Sequence, residues 1–253
     1  MSVYRPLSIL LLLLLCTSAR AEELVVSAAA SLNQAFTEIA QGYQQAHPQT
    51  KVVLNFAASG LLLQQIGKGA PVDVLAVADQ QTMDSAQKQG LLTPGSRSNF
   101  AGNALVLIVP RHSKTQLTRL EDLLGEGIKR VAVGNPDAVP AGRYAQSALE
   151  AAGLWQGIQP RLIATQNVRQ ALAYAARGEV EAAFVYSSDV EAALDKVRVA
   201  FAVPLAEPPV YPMATIRSSQ KQTEAKRFQD FVRSETAQAI LLKHGFIRLA
   251  EAS

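Results

Sequence analysis

The chain has 253 residues, 49% apolar and 18% charged, which is enough apolar material for one large core or two modest ones and too little charge for a disordered acid or base. A formal charge of +3 with no dense Lys/Arg run argues against a nucleic-acid partner. The single cysteine, Cys16, leaves no pair for a disulfide and no thiol set for an iron–sulfur cluster.

The N-terminus reads as a secretory signal peptide. Arg5 supplies the positive start, residues 9–15 are an unbroken apolar run, and Ala19-Arg20-Ala21 is a small-x-small cleavage pattern. The expected leader is 1–21, the mature chain starts at Glu22, and the product is an exported, soluble protein of the periplasm. Losing Arg5 and Arg20 takes the formal charge from +3 to +1. Cys16 is expected to leave with the leader, because Leu15 precedes it where a lipid-modified cysteine needs a small residue; a lipid anchor at Cys16 is the alternative. No later stretch is long and apolar enough to span a bilayer.

From there strands and helices alternate. A strand over 24–28 leads to a helix in which Leu32, Ala35, Phe36, Ile39 and Tyr43 share a face, closed by Pro48. Strand 51–56, helix 61–66, strand 72–77 and helix 80–89, stopped by Gly90, follow. After "SNFAGN" come strand 104–109, a short helix near 120–124, strand 130–133, helix 142–152, strand 161–164, helix 168–177, strand 182–185 and helix 189–194. Strands over 197–202 and 210–216 flank a Pro-rich connection, and two helices finish the chain, the last capped by Ser234 and stopped by Gly245.

Such βα units imply mostly parallel sheets, and their number exceeds one small sheet. The expected fold is α/β, with two Rossmann-like lobes joined by two crossing strands. Residues 22–102 and 211–253 form lobe I and 103–210 form lobe II, with the crossings near Asn103 and Tyr211.

Several junctions at strand ends, or in loops just before a helix, are built from small or hydroxyl residues: "VVSAAASL" at Ser31, "NFAASGLL" at Ser59, "NPDAVPAGRYA" at Ala141, "ATQNVRQAL" at Val168 and "VYSSDVEAA" at Tyr186. In open α/β sheets the carboxyl ends of the strands face the ligand crevice. Helix N-termini there offer unpaired N–H groups and a partial positive charge, a place for an anion. Ala29, Ala30, Ala58 and Gly142 let a ligand approach the backbone, while Ser31, Ser59 and Tyr186 add hydroxyls. Each junction also has a plainer reading. Ser31 and Ser59 serve as helix caps, Ala141 follows a turn proline, Val168 packs under its own helix, and Tyr186 is an amphipathic residue at the core edge. Their recurrence at one kind of junction favours the anion.

Those segments, with "GAPVDVLAVADQ", "NVRQALAYAARGE", "FVYSSD" and the closing "HGF", resemble the periplasmic molybdate-binding proteins of ABC importers, the ModA family, over 22–246. Asn135 stands where that family has an acid, and Ala58-Ser59-Gly60 keeps one serine where several often cluster. The resemblance implies a type II periplasmic binding protein whose lobes close on one tetrahedral oxyanion. It places ligand contacts on Ser31 and Ser59 (hydroxyl and N–H), on Ala141 and Val168 (N–H), and on Tyr186 (hydroxyl). The metal held is then molybdenum as molybdate, with tungstate as an equivalent ligand and no cofactor. The implied partners are a membrane permease and its ATPase, and the protein is expected to be a monomer.

A cage of donors offers no acceptor to a protonated anion, so hydrogenphosphate is penalised. Arg143 and Arg169 are expected as solvated first-turn residues; as direct ligands they would turn the reading to sulfate or phosphate. A hydrolase would need a nucleophile beside a base, and His47, His112 and His244 lie away from every serine-bearing junction. No GxSxG, HExxH or Walker loop is present. Asp73, Asp79 and Asp189 read as strand-end and cap residues, and no carboxylate cluster suits a cation carrier.

Overall fold

The computed structural model describes residues 22–250, so the leader expected over 1–21, with Cys16, lies outside the described residues. Alternation in EELVVSAA puts Leu24, Val26 and Ala28 on one fully buried face of β1 (Glu22–Ala29). This strand lies between β2 (Thr50–Ala57) and β3 (Val74–Ala76), parallel to both. The sheet is completed by β10 (Val210–Thr215) and β4 (Ser98–Gly102), in the order β2-β1-β3-β10-β4. A second sheet runs β7-β6-β8-β5-β9, from β5 (Leu105–Pro110), β6 (Val131–Gly134), β7 (Leu162–Thr165), β8 (Ala182–Tyr186) and β9 (Val197–Ala202).

The expectation of mostly parallel sheets is corrected by the pairing. β10 runs antiparallel to β3 and β4, and β5 runs antiparallel to β8 and β9. The reason lies in the connectivity: the chain leaves the first sheet along β4 into β5 and returns from β9 into β10, so β5 and β10, the strands entered after each crossing, run against the βα units while β4 and β9 run with them. The two crossings touch, because Asn103 N–H donates to Pro209 O at 2.9 Å. Sequence reasoning also missed β4, whose SNFAG holds one large apolar side chain, and the single turn α5 (Trp155–Ile158). The helix expected over 189–194 is instead a turn, α7 (Ser187–Val190), followed by a 3₁₀ turn.

Among the described residues, seven longer helices cover the sheets: α1 (Asn33–Ala46), α2 (Ser59–Gly67), α3 (Gln80–Lys88), α4 (Pro140–Ala151), α6 (Val168–Ala176), α8 (Gln222–Val232) and α9 (Glu235–Lys243). In α1 the apolar spacing buries Ala35, Phe36, Ile39, Ala40 and Tyr43. Phe228 of α8 meets Phe36 and Tyr43 edge-on, with ring centroids 6.3 and 5.2 Å apart. Beside them the buried Glu224 accepts from Tyr43 Oη at 2.5 Å and Thr50 Oγ1 at 2.7 Å, and pairs with Arg227. Truncating Phe36 to alanine in this packing would cost about 3–5 kcal/mol. The architecture is thus two α/β lobes, one around each sheet, and the carboxyl ends of β1, β2, β3, β6, β7 and β8 deliver their loops to the space between.

Candidate ligand site between the lobes

All five residues singled out in the sequence line one small, nearly closed cavity of about 10 Å³. Ser31 and Ser59 arrive after β1 and β2, Ala141 and Val168 in the first turns of α4 and α6, and Tyr186 at the end of β8. Each is at most 4% exposed. The rest of the wall is mainly alanine, with Val139, Pro140 and Asn167, and it carries no charged side chain.

The capping reading of the two serines is not what the structure shows. Ala58 precedes α2 as its cap residue, and Ser31 lies inside a 3₁₀ turn, Ala30–Leu32, with no side-chain cap. Their hydroxyls go elsewhere. Ser59 Oγ accepts from Ala78 N–H at 3.1 Å, and Ser31 Oγ meets Tyr211 Oη at 2.9 Å. Ser59 and Val168 open their helices, and Ala141 follows Pro140, which has no N–H to give. The N–H groups of Ser59, Ala141 and Val168 therefore have no acceptor within their own helices.

Tyr186 is the most informative member. It is 1% exposed, and its Oη is buried without a hydrogen-bond partner. Burial, then the neighbouring Tyr211, pushes its pKa well above the ordinary phenol value, so it keeps its proton. A buried donor left unpaired costs roughly 1–3 kcal/mol, a cost that a ligand acceptor in the cavity would remove.

Close packing sets the wall. A Cβ on Gly142 would stand 1.9 Å from Gly134 O, so only glycine lets the start of α4 sit against the end of β6. Gly60 does the same between lobes: its N–H donates to Ala138 O at 2.9 Å, and a Cβ there would lie 2.9 Å from Ala138 Cα and O.

Arg143 and Arg169 are not the solvated residues expected. Arg143 pairs with Asp79 across the lobes, and donates from Nη2 to Thr82 Oγ1 and from Nη1 to Pro136 O. Arg169 reaches back to Ala30 O at 3.4 Å and places Nε 3.0 Å from Asp189 Oδ1, an ion pair without a well-directed hydrogen bond. Both cations are tied to carboxylates instead of facing water, and neither lines the cavity. Asp79 caps α3 as expected, accepting from Thr82 N at 3.1 Å, and Asp189 accepts from Tyr186 N at 3.1 Å. Burial raises Asp189 to about 6, opposed by Arg169 and the Tyr186 N–H.

The family of bacterial extracellular solute-binding proteins matches residues 24–247. The chain belongs to that family. The molybdate-binding protein ModA of Escherichia coli strain K12 is 35% identical over 231 residues, covering 88% of each chain. The ModA of Haemophilus influenzae is 32% identical over 234 residues, 90% of this chain and 91% of that protein. Among solved structures, the periplasmic molybdate-binding protein of Azotobacter vinelandii superposes with a TM-score of 0.78 at 26% identity, covering 90% of this chain and all of that one. This is therefore an extracytoplasmic solute-binding protein of the ModA group with the type II two-lobed fold.

Proposed function

We propose that the protein captures molybdate, and tungstate alike, between its lobes and delivers it to the permease and ATPase of an ABC importer. The observation that carries this reading is the Tyr186 hydroxyl, buried and unpartnered at a cavity whose wall has donors and no charged group. Ser59 supports it, since Ala78 N–H occupies a lone pair of its oxygen and frees its proton for a ligand. The likeness to ModA proteins supports the cargo.

In this reading Ser31 and Ser59 donate from lobe I, built of 22–102 and 211–253, and Ala141, Val168 and Tyr186 donate from lobe II, 103–210. Only the closed arrangement serves all oxygens of a tetrahedral dianion, so the ligand draws the lobes together. Each hydrogen bond to the charged ligand contributes about 1.5–3 kcal/mol. Anions that carry a proton are rejected for want of an acceptor. The protein works as a monomer in the periplasm, exported by a cleavable leader over 1–21.

Isothermal titration calorimetry on the mature chain, stripped of carried-over ligand by unfolding and refolding, tests the proposal with molybdate, tungstate, sulfate and phosphate. The expected result is tight single-site binding of the first two, weakened by Ser59→Ala. Heat with sulfate or phosphate alone would keep the fold and overturn the cargo.

A further inference from the structure

A serine hydroxyl can give a proton or take one, so a cage containing serines rejects protonated anions only where something sets the sense of each hydroxyl. Ala78 N–H does this for Ser59. For Ser31 the partner is another hydroxyl, Tyr211 Oη at 2.9 Å, and the pair alone is ambiguous.

Asn103 resolves it. Its Oδ1 accepts from Ala104 N–H at 2.9 Å and from Ser187 Oγ at 2.8 Å, which fixes the orientation of the amide. Nδ2 then donates to Ser188 Oγ at 2.8 Å and to Tyr211 Oη at 3.2 Å. With Asn103 already donating to it, the fully buried Tyr211 hydroxyl can pair its own proton by giving it to Ser31 Oγ. The opposite sense would leave a phenolic proton buried without an acceptor. Burial above all, then the neighbouring Asp189, raises the Tyr211 pKa well above the ordinary phenol value, so that proton is present.

We infer that Tyr211, held by Asn103, is a specificity-determining residue: by donating to Ser31 it occupies one of the two lone pairs of that oxygen and leaves the Ser31 proton to be donated into the cavity. Neither Tyr211 nor Asn103 lines the cavity. They sit on the two crossings between lobes, so the sense of a ligand donor is set from the hinge. The inference rests on the oxyanion-cage reading and adds to it the element that discriminates fully deprotonated anions from hydrogenphosphate and hydrogenarsenate.

The test is Tyr211→Phe, which keeps the ring packed on Phe246, Tyr186 and Phe100, at centroid distances of 5.4, 5.7 and 6.3 Å, and removes only the hydroxyl. Calorimetry at neutral pH compares molybdate, tungstate, hydrogenphosphate and hydrogenarsenate on the mature chain and the variant. Molybdate and tungstate are expected to weaken together while the protonated anions gain measurable binding, shifting the ratio of affinities by about tenfold. An equal loss for all four anions overturns the proposal and leaves Tyr211 merely structural, as does molybdate loss with the protonated anions still undetectable. Should that variant fail to fold, Asn103→Leu removes the donor to Tyr211, lets Ser31 turn its proton to the phenol, and is expected to move the ratio the same way. A wild type that takes sulfate and not molybdate overturns the cargo alone, and the comparison is then made with sulfate as the unprotonated anion. A wild type that binds no oxyanion overturns both readings.

Discussion

Arg143 of α4 reaches across the lobes to Asp79, placing Nε 2.8 Å and Nη2 2.6 Å from a single carboxylate oxygen. The side chains are 18% and 6% exposed, so the pair is formed largely out of water when the lobes meet. It holds closed lobes together without touching the cavity. Replacing Arg143 by alanine is expected to weaken molybdate by about tenfold, since an unpaired Asp79 opposes closure. The preference among anions should stay as in the wild type, and small-angle scattering should show a more open ligand-free protein. A change in anion preference would instead make Arg143 a ligand.

Tyr186→Phe separates binding from stability. The unpartnered hydroxyl costs the empty protein, so its removal should leave the ligand-free melting temperature unchanged or raise it, by up to about 1–3 kcal/mol of stability. Molybdate affinity should fall by about 10- to 100-fold, the value of one hydrogen bond to a charged acceptor. Calorimetry and thermal melts on the same preparation check both signs.

Gly60→Ala tests closure by sterics. The added methyl meets Ala138 Cα and O at 2.9 Å only when the lobes are together. The variant should melt nearly as the wild type when empty, bind molybdate at least about tenfold more weakly, and gain little thermal protection from it. Full protection by ligand would show that the lobes close without that contact.

Asp189 gives a pH signature. Its folded pKa of about 6 lies above the ordinary 3.8, so the folded state binds the proton more tightly than the unfolded one. The contribution to stability is complete below about pH 4 and is lost as pH rises through 6, to a total on the order of 3 kcal/mol. Asp189→Asn should therefore gain stability relative to the wild type between pH 4 and pH 7, read as a growing difference in ligand-free melting temperature. A difference independent of pH would place the carboxyl's titration elsewhere.

The alternation of strands and helices and the five junction residues were legible because each signal is local: spacing in α1, small residues at strand ends, proline before Ala141. What the sequence hid depends on distance. Asp79 and Arg143 are 64 positions apart, and nothing in either neighbourhood announces the pair. Ser31 and Tyr211 are 180 apart, and Tyr211 read only as a crossing point. Strand direction escaped for the same reason: β10 is antiparallel because of where the chain has been, which its own residues VYPMAT do not encode. The serines looked like caps because short-range chemistry makes Ser a good cap, while tertiary partners, Ala78 and Tyr211, claimed the hydroxyls.

The uncharged wall has a further consequence. Salt weakens attraction between exposed full charges within a Debye length of about 10 Å at 0.1 M, but it does little to enclosed dipoles held against a ligand from which solvent is excluded. A protein working outside the cytoplasm meets whatever salinity its surroundings impose. If the proposed donors hold the anion, its partners are buried and neutral, and Arg143 and Arg169 are already tied to carboxylates, so brackish and dilute media should slow or speed the first encounter while leaving residence in the closed cleft nearly unchanged.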